Sequence, residues 1–495
     1  MSARQLYMTT ITIIGLGPGD IDDLSRKAWR ALEQAKTVYL RTNQHGCVPC
    51  LPKGAEYRSF DDVYNANDTF ETVYDTIVDT LITAAKAGDI AYAVPGDPFV
   101  GEATTQKLIS RAKAENITIQ VINGISYIEP MLQLIGYDAQ NGLQILDGLD
   151  LVTMHHPPIN PDYPAIIGQI YNRLVASDVK LTLMNQYPDE FQVMLIHGAG
   201  TSAVHVEKIP LHQIDHSERI GITTSLYVPA LGNMSSFEQF QEIVAHLRAP
   251  EGCPWDRKQT HKTLIKYLLE EAYEAIQAIE DDDPQELAKE LGDLLLQVVL
   301  HTQIAIDDGE FYMTDVLRHI NAKMIRRHPH VWKPDEVSVD SAEQVVTNWE
   351  AIKAKEKADA NGQFESMLAG VPKSMPALMV ATQYQDRMAR VGFDWSDVSG
   401  VVDKIREELD EVLQAQQAGD AAHLQEEVGD LFFVMVNWAR WMKIDPELAL
   451  KKANEKVFRR FEYVEKCVAQ SGKPFTAFTL QELDEFWNAG KQLGL

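Results

Sequence analysis

The sequence predicts a multidomain chain: an α/β region followed by two all-α helical regions. Three observations predict it. Short β-rich runs alternate with amphipathic helices over the first ~228 residues, as in α/β domains. After Gly232 the apolar spacing is almost wholly helical. In the helical region a single pattern of residues occurs twice, Leu268 to His301 and Ile405 to Trp438, which marks an internal duplication. The expected domains are 1–231, 232–355 and 377–495, with a linker at 356–376.

Taken in order, Thr10 to Ile14 reads as a strand ending in a Gly-Pro-Gly turn. Leu24 to Ala35 reads as a helix and Thr37 to Leu40 as the next strand. Phe70 to Ala87 is a helix stopped by Gly88-Asp89, and Ile90 to Val94 a strand running into Pro95-Gly96-Asp97-Pro98. Thr118 to Ile122 is a further strand, ending at Asn123-Gly124. Beyond Leu151 the pattern suggests a helix at Ala165–Ala176 and strands at Lys180–Met184, Gln192–Ile196 and His205–Lys208. Thr223 to Leu231 (TTSLYVPAL) closes the region. The polar stretch from Ala354 to Gln363 separates the two repeats and reads as a solvated helix end or a flexible connector.

The chain has 495 residues and a net charge of −27. An acidic balance of this size argues against a partner that is a nucleic-acid polymer, which needs a basic face. It leaves room for small anions held through a divalent metal. No apolar run approaches the ~20 residues needed to span a bilayer, and the opening residues lack a signal-peptide pattern. A cytoplasmic protein without a membrane partner is expected. Four cysteines do not make a disulfide framework. The Cys47-Cys50 pair lacks the second pair of a structural zinc site.

Each repeat carries four acids in one order: Glu271, Glu274, Glu290 and Asp293, then Glu408, Glu411, Glu427 and Asp430. All four pairs are offset by the same 137 positions (408 − 271, 411 − 274, 427 − 290, 430 − 293). Acids at i and i+3 share one helical face. A short turn, Asp281 to Pro284 in the first copy, makes the two helices antiparallel neighbours. Two carboxylate pairs then face each other as oxygen ligands for a hard cation such as Mg²⁺ or Mn²⁺. The second helix of each copy is apolar nearly all round and is therefore expected to be buried. Charges on it call for a metal or an ion-pair network.

A basic element also repeats. Lys323, Arg326 and Arg327 in the first copy match Lys456, Arg459 and Arg460 in the second. Such residues either complement a helix dipole or clamp phosphate oxygens. Acids for a metal plus bases for phosphates imply attack of water on a phosphoanhydride, with a cluster glutamate as general base.

The run EExxE, a spacer, ExxD and a downstream KxxRRH resembles the MazG nucleoside triphosphate pyrophosphohydrolases, as does the lead-in CPWDRKQTHKTL (Cys253 to Leu264). The resemblance spans about Phe237 to the C-terminal residue. It implies an all-α fold, Mg²⁺ dependence, a homodimer formed through the helical domains, and cleavage of nucleoside triphosphates to monophosphate and pyrophosphate. Carried over, the metal ligands are the eight acids above, with Glu271, Glu274, Glu408 and Glu411 catalytic. Trp255 and Trp395 either stack on a base or pack in the core. The second copy departs from the pattern at its start, where VGFDWSD (Val391 to Asp397) replaces CPWD.

Three glycine loops follow strands: Gly15 to Asp20, Val94 to Glu102 and Asn123 to Pro130. Each alone is a plain turn. Together they suit a ligand crevice at a sheet edge. They resemble the tetrapyrrole (corrin/porphyrin) methylases, over about residues 10 to 231. That likeness implies an S-adenosylmethionine site lined by Pro18, Gly96, Asp97, Pro98 and Ser126. Asn123 stands where that family favours proline. An alternative to the hydrolase is therefore an S-adenosylmethionine-dependent methyltransferase with a helical regulatory or dimerisation module.

Overall fold

The computed structural model describes residues 9–66, 69–232, 234–361 and 366–495. The N-terminal residues considered for a signal peptide lie outside the described residues up to Met8, and so does a stretch of the expected linker, 362–365. The chain divides into two compact units, Met1–His319 and Ile320–Leu495. Among the described residues no helix is long and apolar enough to cross a membrane.

The first unit begins with a parallel five-stranded sheet. Its strands are β1 (Thr10–Gly15), β2 (Thr37–Leu40), β3 (Glu56–Ser59), β4 (Ile90–Val94) and β5 (Thr118–Ile122), in the order β3-β2-β4-β1-β5. Period-2 alternation gives β1 two buried faces. Ile11 and Ile13 join Ile77, Leu81 and Leu108 from the helices Phe70–Ala85 and Ala103–Ala114. Ile14 joins Ala28 and Leu32 of the helix Arg26–Gln34. Parallel sheets need this cover on both faces.

A second, mixed sheet follows, in the order β6-β7-β10-β8-β9. Its strands are β6 (Gln144–Asp147), β7 (Ala165–Gly168), β8 (Gln192–His197), β9 (His205–Pro210) and β10 (Thr224–Val228). Here two expectations are corrected. Ala165–Ala176 is not one helix: Ala165–Gly168 is the fully buried strand β7. Lys180–Met184 is not a strand, because Arg173–Leu183 is a helix. A four-residue apolar run has no diagnostic period. The local breakers decide instead. Gln169 takes a left-handed φ of 61°, and Asn172 caps the helix by accepting a bond from the Val175 N–H at 2.8 Å.

The helical portion of this unit comprises Phe237–Arg248, Ile265–Glu280 and Pro284–Asp308. Val244, Leu264, Val299, Leu300 and Ile304 form its core. The second unit comprises the short helix Pro329–Trp332 and the helices Ala342–Asn361, Ala377–Arg390, Val398–Ala418, Ala421–Trp441, Pro446–Ser471 and Leu480–Gln492. The helix Met313–Arg327 crosses the boundary between the units.

The expectation that the second helix of each repeat is buried all round is also corrected. Leu291, Leu295 and Val298 are 50%, 41% and 41% exposed, and Phe432 and Met435 are 61% and 41% exposed. Only one stripe of each helix, Val299, Leu300 and Ile304 or Val434 and Val436, packs within its own unit.

Candidate active sites

The first acid cluster is built by a helical hairpin. Asp282 takes a left-handed φ of 52° at the turn. Asp283 then caps the next helix, accepting from the N–H groups of Gln285 and Glu286 at 3.0 Å each. Pro284 fills the first helical position. The hairpin brings carboxylate oxygens of Glu271, Glu274 and Glu290 within 4.8 Å of one another.

Partial burial and the neighbouring charges of Asp293 and Glu274 push the Glu271 carboxyl above the ordinary glutamate range. Burial, then Glu274, Glu286 and Asp293, do the same to Glu290. Asp293 thus acts on both, one turn along, although it stands outside the tight trio. Among the described residues no lysine, arginine or histidine forms an ion pair with Glu271, Glu274 or Glu290. Three acids held this close, without a cation, are arranged as a divalent metal site requires.

The second cluster repeats the geometry on the helices Val398–Ala418 and Ala421–Trp441. Oxygens of Glu408, Glu411 and Glu427 lie within 4.8 Å of one another. Burial, Glu408 and Glu427 raise the Glu411 carboxyl. Asp430 is exposed on the same helix as Glu427. Two bases enter this copy. Lys404 Nζ lies 2.8 Å from Glu408, whose residue is 5% exposed. His423 Nδ1 lies 3.3 Å from Glu427. The matching positions of the first copy hold Tyr267 and Glu286, so the two clusters differ in charge.

The basic elements are partly committed elsewhere. Lys323, Arg326 and Arg327 belong to the second unit, and the first acid cluster to the first. Arg326 Nε and Arg327 Nη2 reach Glu356 at 2.5 and 2.7 Å. They hold its carboxyl down to about 2. Arg327 also lies over the Trp349 ring at 5.7 Å. In the second copy Arg460 donates to the Leu495 carbonyl at 2.6 Å and lies over Trp487. Lys456 and Arg459 are exposed. Neither tryptophan candidate is a core residue. Trp255 is half exposed, edge-on to Tyr267. Trp395 is 41% exposed, and its ring lies so close to Gly400 that a Cβ there would meet Cδ1 at 2.3 Å.

In the N-terminal sheet the three glycine loops meet at the C-terminal ends of β4, β1 and β5. A Cβ on Gly124 would sit 2.3 Å from the Gly96 carbonyl oxygen, so only glycine permits this approach. Asp97 ties the loops together. Its Oδ1 accepts from the Phe99 N–H at 2.8 Å, and its Oδ2 accepts from Asn123 Nδ2 at 3.1 Å and from the Gly124 N–H at 3.2 Å. Asn123 thereby supplies a bond that proline could not make. Ser126 caps locally, donating from Oγ to Glu129 at 2.5 Å. Pro18 packs against Gly200, and Pro98 follows Asp97 in the second loop. Cys47 is buried, with burial pushing its thiol up to about 11. It lies against His45 at 3.2 Å, while Cys50 is exposed. Cys47 anchors the loop.

One group carries no signal in the sequence. Arg41, at the end of β2, is 9% exposed. It lies over the rings of Tyr74 and Tyr64 at 4.8 and 5.1 Å and 3.6 Å from Glu102. Its Nη1 has no hydrogen-bond partner. A single arginine after a strand gives no hint of burial.

Two family profiles match the chain. The tetrapyrrole (corrin/porphyrin) methylases match residues 10–215. The MazG nucleotide pyrophosphohydrolase domain matches 259–332 and 398–465. The uncharacterized protein YabN of Bacillus subtilis is 40% identical over 488 residues, covering 97% of this chain and 98% of the relative. The chain belongs to this family of tetrapyrrole methylase–MazG fusions. Its MazG half is similar to a nucleoside triphosphate pyrophosphohydrolase of Escherichia coli, 45% identical over 262 residues, 52% of this chain and 98% of that one. Among solved structures, a uroporphyrin-III-C-methyltransferase from Thermus thermophilus covers 45% of this chain and 94% of its own, at 20% identity and a TM-score of 0.37. Both acid trios of the fusion fall on MazG segments: Glu271, Glu274 and Glu290 on the first, and Glu408, Glu411 and Glu427 on the second.

Proposed function

We propose that the chain hydrolyses nucleoside triphosphates to the monophosphate and pyrophosphate. The observation that carries this reading is the pair of acid trios, each within 4.8 Å, on segments that match the pyrophosphohydrolase domain. Glu271, Glu274, Glu290 and Asp293, and their counterparts Glu408, Glu411, Glu427 and Asp430, would hold Mg²⁺ or Mn²⁺. A bound divalent ion supplies neutralisation of phosphate charge and an acidified water.

The protein's own contribution is positional. One glutamate of each trio is a candidate to accept a proton from water. The water oxygen bonds to the α-phosphorus, the bond from that phosphorus to the bridging oxygen breaks, and pyrophosphate leaves. Lys323, Arg326, Arg327, Lys456, Arg459 and Arg460 are the candidate phosphate contacts. Arg326 and Arg327 must then exchange Glu356 for phosphate. Trp255 and Trp395, both accessible, are candidates to stack on the base. The exposed apolar stripes at Leu291, Leu295 and Val298 and at Phe432 and Met435 support a homodimer formed through the helical domains, since patches of this kind mark association surfaces.

The convergence of three glycine loops on Asp97 supports a second function, binding of S-adenosylmethionine at Pro18, Gly96, Asp97, Pro98 and Ser126. Mixed nucleotides with Mg²⁺ test the first proposal through the ratio of pyrophosphate to orthophosphate. Calorimetry with S-adenosylmethionine tests the second.

A further inference from the structure

A hollow of about 1140 Å³ lies beside the helix Arg26–Gln34 and the entry ends of β2 and β4. It shares no residue with the glycine loops, which stand at the exit ends of β1, β4 and β5. Five cations line it: Arg26, Lys27, Arg30, Lys36 and Arg58. Its one acid is Asp89, which accepts a bond from the Thr10 N–H at 2.8 Å.

The chain has 72 acids to 45 lysines and arginines. Yet Arg26, Lys27, Arg30 and Lys36 form no ion pair among the described residues. Arg58 alone is engaged, with Glu56 at 2.9 Å and with the Tyr39 hydroxyl at 3.1 Å. All four are exposed and lie together without a carboxylate, a basic patch on an acidic chain. A concave wall focuses their field.

We propose that this hollow binds a phosphorylated small molecule of nucleotide size. The volume is slightly above the usual range of small-ligand sites, roughly 300–1,000 Å³. The apolar residues Ile90, Ala91 and Ile122 along it are buried, so recognition rests on the cations. The arginines offer planar forks to phosphate oxygens. A nucleic-acid polymer is disfavoured, because the net charge of −27 repels a long polyanion beyond the reach of the hollow. The inference is independent of the hydrolase proposal, since no residue of the acid clusters is involved.

The test is calorimetric titration of the full chain with ATP in EDTA, so that no divalent ion links nucleotide to the acid clusters. ATP should bind at one site, pyrophosphate more weakly, and adenosine not at all. Arg26→Glu with Arg30→Glu should weaken ATP at least tenfold and leave pyrophosphate release in Mg²⁺ within twofold of wild type. Arg30→Gln with Lys36→Gln gives the same direction without charge reversal, should the first pair fail to fold. Absence of heat with ATP in the wild type, or equal affinity in a folded variant, overturns the proposal. Displacement of ATP by poly-glutamate but not by pyrophosphate overturns it in favour of an acidic polypeptide.

Discussion

The Lys404 ammonium lies 2.8 Å from the Glu408 carboxylate, and Tyr267 occupies the corresponding place in the first repeat. The second acid cluster therefore carries an internal counter-charge and the first does not. Duplication has preserved the carboxylates while separating their electrostatics.

Lys404→Gln should leave Glu408 buried beside two acids without a partner. In EDTA the melting temperature should fall by roughly 2–4 °C, about 1 kcal/mol for a unit of this size, and excess Mg²⁺ should restore most of it. Differential scanning calorimetry with and without the metal reads both effects. An unchanged transition would mean that Lys404 does not neutralise the cluster.

Glu271→Gln should behave oppositely. It removes one of three crowded acids that no base compensates, so the metal-free protein should melt higher than wild type. Mg²⁺ should stabilise the variant less than it stabilises wild type. A lower melting point in EDTA would argue that Glu271 has a favourable partner.

Glu356 sits between Arg326 and Arg327, which hold its carboxyl down to about 2. A carboxyl with a depressed value contributes stability above its unfolded value, near 4.5, and loses it as pH falls toward 2. Glu356→Gln should cost about 0.5–1 kcal/mol at pH 7 after solvent screening. The difference from wild type should shrink steadily below pH 4.5. Urea unfolding at several pH values measures it, and a pH-independent difference would contradict the ion-pair account.

Gly124→Ala and Gly96→Ala separate two reasons for glycine. A Cβ at Gly124 meets the Gly96 carbonyl at 2.3 Å, whereas at Gly96 it makes only an ordinary contact, 3.9 Å from the Ser126 Cα, and only a φ of 66° resists. The first should cost roughly 3 kcal/mol and the second about 1 kcal/mol. Both should weaken S-adenosylmethionine in calorimetry, the first more. Equal costs would contradict the close approach of the loops.

Much of this was legible in the residues. The acid register at one offset gave both hairpins, because helical i, i+3 spacing maps directly onto a face. The glycine loops gave their own convergence at the exit ends of β1, β4 and β5, because only glycine allows backbone so close to backbone. The segment from Ala165 to Met184 was misread, since AIIG is too short to carry a period and the deciding breaker was the left-handed Gln169. The all-round burial expected for Pro284–Asp308 failed because composition reports apolar surface, not what covers it. The Arg41–Glu102–tyrosine group was invisible because its members lie far apart in sequence. The Arg326–Arg327–Glu356 contact hid for the same reason, so a basic element that reads as a free phosphate clamp is already paired.

We propose metal-dependent pyrophosphohydrolysis by the two acid trios. Its most direct measurement is the product ratio from ATP and dTTP with Mg²⁺. Wild type would be compared with Glu271→Gln/Glu274→Gln, with Glu408→Gln/Glu411→Gln, and with the four substitutions combined. Wild type should release pyrophosphate and monophosphate in equal amounts. Each double variant should be slower, and the combined variant, folded by circular dichroism, should be inactive. Orthophosphate as the primary product, or full activity in the combined variant, would contradict the account.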